Sequence, residues 1–282
     1  MGVDRYCAGV PVPDHVTTSV GGLSLWLEAP GAGAGHGSVL EPARTAAEAA
    51  VRIGCTALWI SEPDRDPATG RVPYEAYSLL GALATYRYDL HLGVSSDAGE
   101  RRAPSILAKI VSGIDVISGG RGVLSLGADR ADAADRLADA LEVARAVLED
   151  ESPSFGGRFH TVDGAVNRPI PVQTGGVPLV VFLNDTGSAA GLVDVCARSA
   201  DAVVAGHHDE VREIVESVAV WPGVRARPGD RVAVLGRVRA SAAGARIVDE
   251  VAAVRDAGAD GCLVGVAAPW SVESLEDLQR AW

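Results

Sequence analysis

PSILAKIVSGIDVISGGRGVLSLGA, residues 104–128, decides the fold. Its first half has the spacing of an amphipathic helix, Ser118 to Arg121 make a Ser-Gly-Gly-Arg turn, and VLSLG is a buried strand. A helix that stops at a double glycine and drops at once into an apolar strand must cross back along a sheet. The unit therefore reads as one αβ step of a parallel barrel.

The same alternation extends outward. Candidate strands are Leu23–Glu28, Ala57–Glu62, Leu90–Ser95, 122–127, Leu179–Leu183, Ala202–Gly206, Val232–Val238 and Gly261–Val266. Helical patterns follow them at Pro42–Ile53, Tyr74–Thr85, 104–117, Ala131–Leu148, 188–199, 209–219, 243–257 and 272–281. Continuously apolar strands suit a parallel sheet buried on both faces. Eight βα units favour a closed (β/α)8 barrel over an open sheet, because closure leaves no edge. The pattern breaks at Glu149–Gly176, a glycine- and proline-rich excursion between helix 4 and strand 5 with room for a short hairpin. Residues 21–282 read as one barrel domain and residues 1–20 as an N-terminal arm. The loop GAGAGHG (31–37) resembles a dinucleotide cradle but has no acidic partner at the required spacing, so it reads as a flexible loop.

Composition narrows the function classes. A chain of 282 residues with 48% hydrophobic and 22% charged residues has ample material for a core. It has no apolar run near the roughly 18 residues of a membrane span. The N-terminus lacks a basic-then-apolar signal pattern, so a cytoplasmic protein is expected. The net charge of −12 opposes a nucleic-acid partner. Cys7, Cys55, Cys196 and Cys262 form no CxxC pair, and His207-His208 lacks a supporting carboxylate–histidine spacing, so no metal is expected.

In such a barrel, chemistry gathers at the C-terminal ends of the strands. Those ends carry Glu28, Ser61-Glu62-Pro63-Asp64, Ser95-Ser96-Asp97, Ala128-Asp129-Arg130, Asn184 to Ser188, His207-His208, Arg239 and Ala267 to Trp270.

The pieces LWISEP, PYEAYSLLGALA, LHLGVSS, residues 104–128, FGGRFHTVDGAVNRPIPVQ and PLVVFL lie in an order and spacing that resembles the luciferase-like oxidoreductases. Over Leu23–Asp201 the wording is most similar to the deazaflavin (coenzyme F420) branch. That resemblance implies hydride or oxygen chemistry on a flavin-like ring over the barrel mouth, acting on a small-molecule substrate. F420 stands ahead of FMN.

Site residues follow from the resemblance. The family often has a histidine where Pro63 stands, so Glu62 becomes the nearest candidate acid; equally, Glu62 caps its loop or pairs with Arg65. The family's strand 3 end carries a bulge, commonly with a non-prolyl cis peptide, against which the ring stacks. Gly93, Val94, Ser95 and Ser96 occupy it here, with Ser61 alongside. Gly127 and Ala128 fall at the cofactor edge of strand 4. There Asp129 replaces a glycine, and the family's long loop is shortened. Asn184, Thr186, Gly187 and Ser188 open the helix after strand 5 and form either an anion cradle or a plain cap. Arg65, Arg71, Arg101 and Arg102 are candidates for the acidic tail of F420 or are surface charge. His160 reads as structural. A homodimer through Tyr77, Leu80 and Tyr86 is expected. The departures at Pro63, Asp129 and Phe182-Leu183 keep a second reading open: a degenerate, cofactor-free barrel serving as a binding or partner subunit.

Overall fold

The computed structural model describes residues 20–29, 38–62, 74–95, 102–128, 134–183, 190–223, 231–240, 245–268, 270 and 282. In chain order these form β1 (Gly22–Leu27), α1 (Leu40–Arg52), β2 (Ala57–Ser61), α2 (Ala76–Ala84), β3 (His91–Ser95), α3 (Pro104–Ser118), β4 (Gly122–Ala128) and α4 (Ala134–Glu149). The second half supplies β5 (Leu179–Leu183), α5 (Ala190–Ser199), β6 (Ala202–Val204), α6 (Val211–Ala219), β7 (Ala233–Arg239), α7 (Ala245–Asp256) and β8 (Gly261–Val266). The eight strands close into a parallel barrel, with β1 hydrogen-bonded to β2 on one side and β8 on the other. The chain therefore folds as the (β/α)8 barrel its alternation implies. The N-terminal arm, the glycine loop 31–37, Cys7 and the helix expected at 272–281 lie outside the described residues.

Strand periodicity sorts the side chains into two cores. Leu23, Leu25 and Leu27 of β1 pack outward beneath the helices, while Trp26 faces the barrel interior with Trp59, Val123, Phe182 and Leu263. Trp59 meets Phe182 edge-on, with centroids 5.3 Å apart. Gly93 sits against that indole: a Cβ there would come within 2.5 Å of the Trp59 ring. The space left by Gly93 is thus filled by the protein's own tryptophan.

The decisive segment behaves as a structural joint. Pro104 opens α3, and Gly119 and Gly120 end it with φ of 76° and 94°, a left-handed conformation that glycine adopts without steric cost. The Arg121 guanidinium then donates to the carbonyls of Ala84, Tyr86 and Leu90, tying the end of α2 to the start of β4. Asp115 is fully buried. Its carboxylate accepts from the backbone N–H groups of Gly122 (3.0 Å), Val172 (2.7 Å) and Gln173 (3.2 Å), and from Gln173 Nε2 (2.7 Å).

This anchor fastens the excursion, which contains a two-stranded hairpin (Phe155–Gly156 with Thr161–Val162). Asp139 of α4 accepts the Phe159 and His160 N–H groups at 2.7 Å each, giving that stretch a structural part. Asn167 Nδ2 donates to Ser112 Oγ of α3 at 3.1 Å.

Tyr77 and Leu80 are buried within the core, so they present no face to a partner; that expectation is corrected. Helical spacing alone had not distinguished the inner face of α2 from the outer. Tyr86 is half-buried and stacks on Tyr88 at 5.6 Å. Burial pushes the thiols of Cys55, Cys196 and Cys262 up to about 12, as expected for cysteines serving as small apolar side chains. Among the described residues no helix is long and apolar enough to cross a membrane, and no cluster of metal-ligating side chains occurs.

Candidate active site

The C-terminal ends of β1, β2, β3 and β7 converge on Trp26. Alternation in LSLWL turns this indole inward. Its Nε1–H donates to Ser61 Oγ (2.7 Å) and Ser95 Oγ (2.9 Å), and the two hydroxyls lie 3.3 Å apart. Ser61 and Ser95 face each other because β2 and β3 pair Ser61 with Ser95 in register. Trp26 and both serines are almost fully buried. Tyr74 braces the rim by donating its hydroxyl to the Ser61 carbonyl at 3.0 Å.

Two guanidinium groups cover the indole. Arg237 and Arg239, two residues apart on β7, share its inward face, with their charged carbons 5.1 and 5.4 Å from the Trp26 ring. Arg237 also donates to the Gly206 carbonyl at 3.0 Å. Arg239, largely exposed, pairs with Glu28 at 3.2 Å. Trp270 closes this side by donating Nε1–H to the Glu28 carbonyl at 2.8 Å. Glu28 Oε1 and the Trp26 ring stand 2.3 and 2.8 Å from where a Cβ on Gly265 would lie, so only glycine leaves room for them there.

The predicted site residues are dispersed. Ser61 and Ser95 come together at the mouth. Gly127 and Ala128 end β4 beside Phe182 and Leu183 of β5. Val94 points away from the mouth into the outer core, and only its carbonyl, which accepts from Ser125 Oγ, lies on the barrel side. Gly93 supports Trp59, a physical role different from the one its size suggested. Ser96, Asn184, Thr186, Gly187 and Ser188 lie outside the described residues, as do Pro63, Arg65, Arg71, Arg101 and Asp129. Among the described residues the cis peptide is Arg168–Pro169, in the excursion. The Ser95–Ser96 bond falls outside them.

Glu62 forms an ion pair with Arg102, which also bonds Glu75 at 2.9 Å and lies 5.4 Å over the Tyr77 ring. Partial burial pulls the Arg102 pKa down, but the hydrogen bond and charge of Glu62, with Glu75 and Tyr77 behind it, raise it above its ordinary value. Glu62 is thus paired at the rim by Arg102, while Arg65, the partner foreseen for it, lies outside the described residues. Trp26 and Arg237 were missed by listing strand ends. Their signal lay in the alternation of LSLWL and VLGRVR, which sets Trp26, Arg237 and Arg239 on inward faces.

A family model of luciferase-like monooxygenases matches residues 20–259. The chain belongs to the luciferase-like monooxygenase family. Its fold is similar to that of an F420-dependent secondary alcohol dehydrogenase in complex with an F420–acetone adduct (TM-score 0.72, 13% identity, covering 93% of this chain and 98% of that one). It is also similar to the coenzyme F420-dependent tetrahydromethanopterin reductase from Methanopyrus kandleri (0.65, 14%, 93% and 96%). A third likeness is the FMN-bound oxygenating constituent of 3,6-diketocamphane monooxygenase from Pseudomonas putida (0.55, 14%, 77% and 67%). No functionally curated protein matches the chain by sequence. At these identities the structural likeness is one of fold, common to relatives of either cofactor type.

Proposed function

We propose that this chain is an oxidoreductase that uses coenzyme F420, with FMN second, on a small organic substrate at the mouth above Trp26. The observation that carries the reading is the pairing of Arg237 and Arg239 over the Trp26 indole in a chain of net charge −12. Guanidinium groups gathered at the functional end of an acidic barrel suit an anionic cofactor. The donor set fits a flavin-like group: Arg237 and Arg239 would hold its anionic part, and the backbone of Gly127 and Ala128 its ring edge. When bound, that group supplies the carbon that accepts or gives hydride. The chain's own part is to exclude water with Trp26 and Trp270 and to fix the mouth through the Trp26–Ser61–Ser95 hydrogen bonds. Asn184, Thr186, Gly187 and Ser188, outside the described residues, are residue types suited to the same anion. Glu62 acts as a positioning residue, holding Arg102 at the rim. The test is a fluorescence-quenching titration of the purified protein with F420 and with FMN. Binding at tens of micromolar or tighter supports the reading; binding of neither would sink it and favour the cofactor-free barrel.

The outward faces of α2 and α3 support a homodimer. Ser78, Gly81 and Ala82 on α2, Thr85 at its C-cap, and Ile106, Gly113 and Ile117 on α3 are uncharged and at least partly exposed, with Lys109 beside them and Ile106 and Ile117 more than half exposed. Cβ atoms at Gly81 and Gly113 would meet open space, so nothing within the described fold calls for glycine in these helices. A two-fold contact sets a surface against itself, and a chain carrying −12 does that at least cost where charge is absent. Sedimentation should show a dimer that Ile117→Glu dissociates; a monomeric wild type would overturn this.

A further inference from the structure

Trp26 and Glu28 stand two residues apart at the end of β1, so both turn toward the barrel axis. In register across β8, Trp26 pairs with Gly265, and Gly265 with Arg239 of β7. The middle place of this row carries no side chain, and the charged groups on either side close over it. The Arg239 guanidinium crosses β8 to stand 5.4 Å from the indole, with its Nε 3.2 Å from Glu28 Oε1. Glu28 Oε1 itself lies 2.3 Å from where a Gly265 Cβ would be, so the carboxylate occupies the gap that glycine leaves. Both backbone groups of Glu28 are tied: its N–H donates to the Val266 carbonyl at 3.0 Å, and its carbonyl accepts from Trp270 Nε1 at 2.8 Å. Its side chain is 20% exposed against 70% for Arg239, so the carboxylate is the sheltered member of the pair and the guanidinium the one that reaches solvent. Arg237, beside them, donates to an uncharged group, the Gly206 carbonyl.

We propose that Glu28 is a charge filter at the mouth, a fixed carboxylate that offsets one of the two arginines and so selects ligand groups of single negative charge over doubly charged ones. The inference rests on the cofactor reading above and adds to it the residue that decides between the two cofactors. The guanidinium groups of Arg237 and Arg239 and the carboxylate of Glu28 sum to a single positive charge around the indole. A singly charged group neutralises that sum. A doubly charged one leaves an excess beside a carboxylate that is held in place. Every anionic group of F420 is singly charged, its phosphate being a diester. FMN carries a phosphate monoester, with a charge of about −1.5 to −2 at neutral pH. The arginines alone would draw FMN the more strongly, and Glu28 takes that advantage away.

Titrations of the full chain and of Glu28→Gln with riboflavin, F420 and FMN test this, read by fluorescence quenching. Riboflavin has the ring of FMN without its phosphate, so it reports any change at the mouth that is not a matter of charge. Coulomb energy is linear in ligand charge, so the gain in affinity for a doubly charged group is the square of that for a singly charged one. Glu28→Gln should leave riboflavin affinity unchanged, tighten F420 about threefold and tighten FMN about tenfold. Equal gains for F420 and FMN, no gain for either, or an equal change for riboflavin overturns the filter while the cofactor reading stands. Binding of none of the three by the wild type sinks that reading and the filter with it. Arg239→Gln, at a largely exposed position, checks the pair from its other side. It should weaken FMN more than F420 and leave riboflavin unchanged, and the opposite order counts against selection by charge.

Discussion

The joint beneath α3 and the mouth around Trp26 are both buried polar centres, built in opposite ways. At the joint, Asp115 takes its four hydrogen bonds from backbone N–H groups and one amide, donors fixed by the path of the chain. At the mouth, Trp26 gives its one N–H to two hydroxyls and lies beneath two arginines, one of them reaching into solvent. The first arrangement closes on the carboxylate, each of whose oxygens accepts two hydrogen bonds. The second is made of groups that can rotate, swing and change partners. The most recognisable stretch of the chain belongs to the closed centre, so it identifies the fold, while the proposed site is made of residues of ordinary appearance.

Variants at the two centres should separate them. The largest effect is expected from Asp115→Ala, which strands several buried donors and should cost about 3–4 kcal/mol in urea denaturation while leaving cofactor affinity of the folded protein unchanged. If affinity fell with stability, the two ends would be coupled and the contrast would fail. Trp26→Phe keeps a ring but removes its N–H. It should cost about 1–2 kcal/mol and weaken F420 binding about tenfold, and unchanged binding would remove Trp26 from the site.

His91 gives a pH signature on the joint's side of the barrel. Its folded pKa is depressed, by burial first and then by Arg121, against the opposing charges of Asp89 and Asp115. The unfolded chain therefore takes up the proton first, and stability falls as pH drops below about 6.5. His91→Gln should flatten that slope in denaturation curves recorded across the range. Arg237→Met should cost under about 1 kcal/mol in stability yet lower cofactor affinity roughly tenfold, the reverse of the Asp115 pattern. Glu62→Gln should be the mildest, a few tenths of a kcal/mol, with turnover reduced less than about tenfold. A far deeper loss of turnover at full cofactor occupancy would restore Glu62 as the proton donor.

The barrel was legible because continuous apolar strands and double-glycine helix stops are local signals. Asp115 was not, since its partners Val172 and Gln173 lie more than fifty residues away and the helix pattern gives no hint of them. Gly93 was read as room for a ligand because a sequence cannot say which neighbour fills the space that a glycine leaves. Ser61 and Ser95 were legible as strand ends. Their common partner Trp26 was not, because it looks like any apolar residue of a strand. Tyr77 and Leu80 failed as a dimer face for the related reason that a helix with few charges does not announce its outer side.

Closure of β1 onto β8 bears on the order in which the molecule comes into being. The Trp270–Glu28 hydrogen bond spans 242 residues, and the two arginines over Trp26 come from β7. A ribosome adding about 5–20 residues per second leaves β1 without its second neighbour for roughly ten to fifty seconds. The joint beneath α3 can settle once Gln173 has emerged, whereas the mouth exists only when the chain is nearly complete. Premature termination would therefore release a barrel wall with its anchor in place and no site to serve.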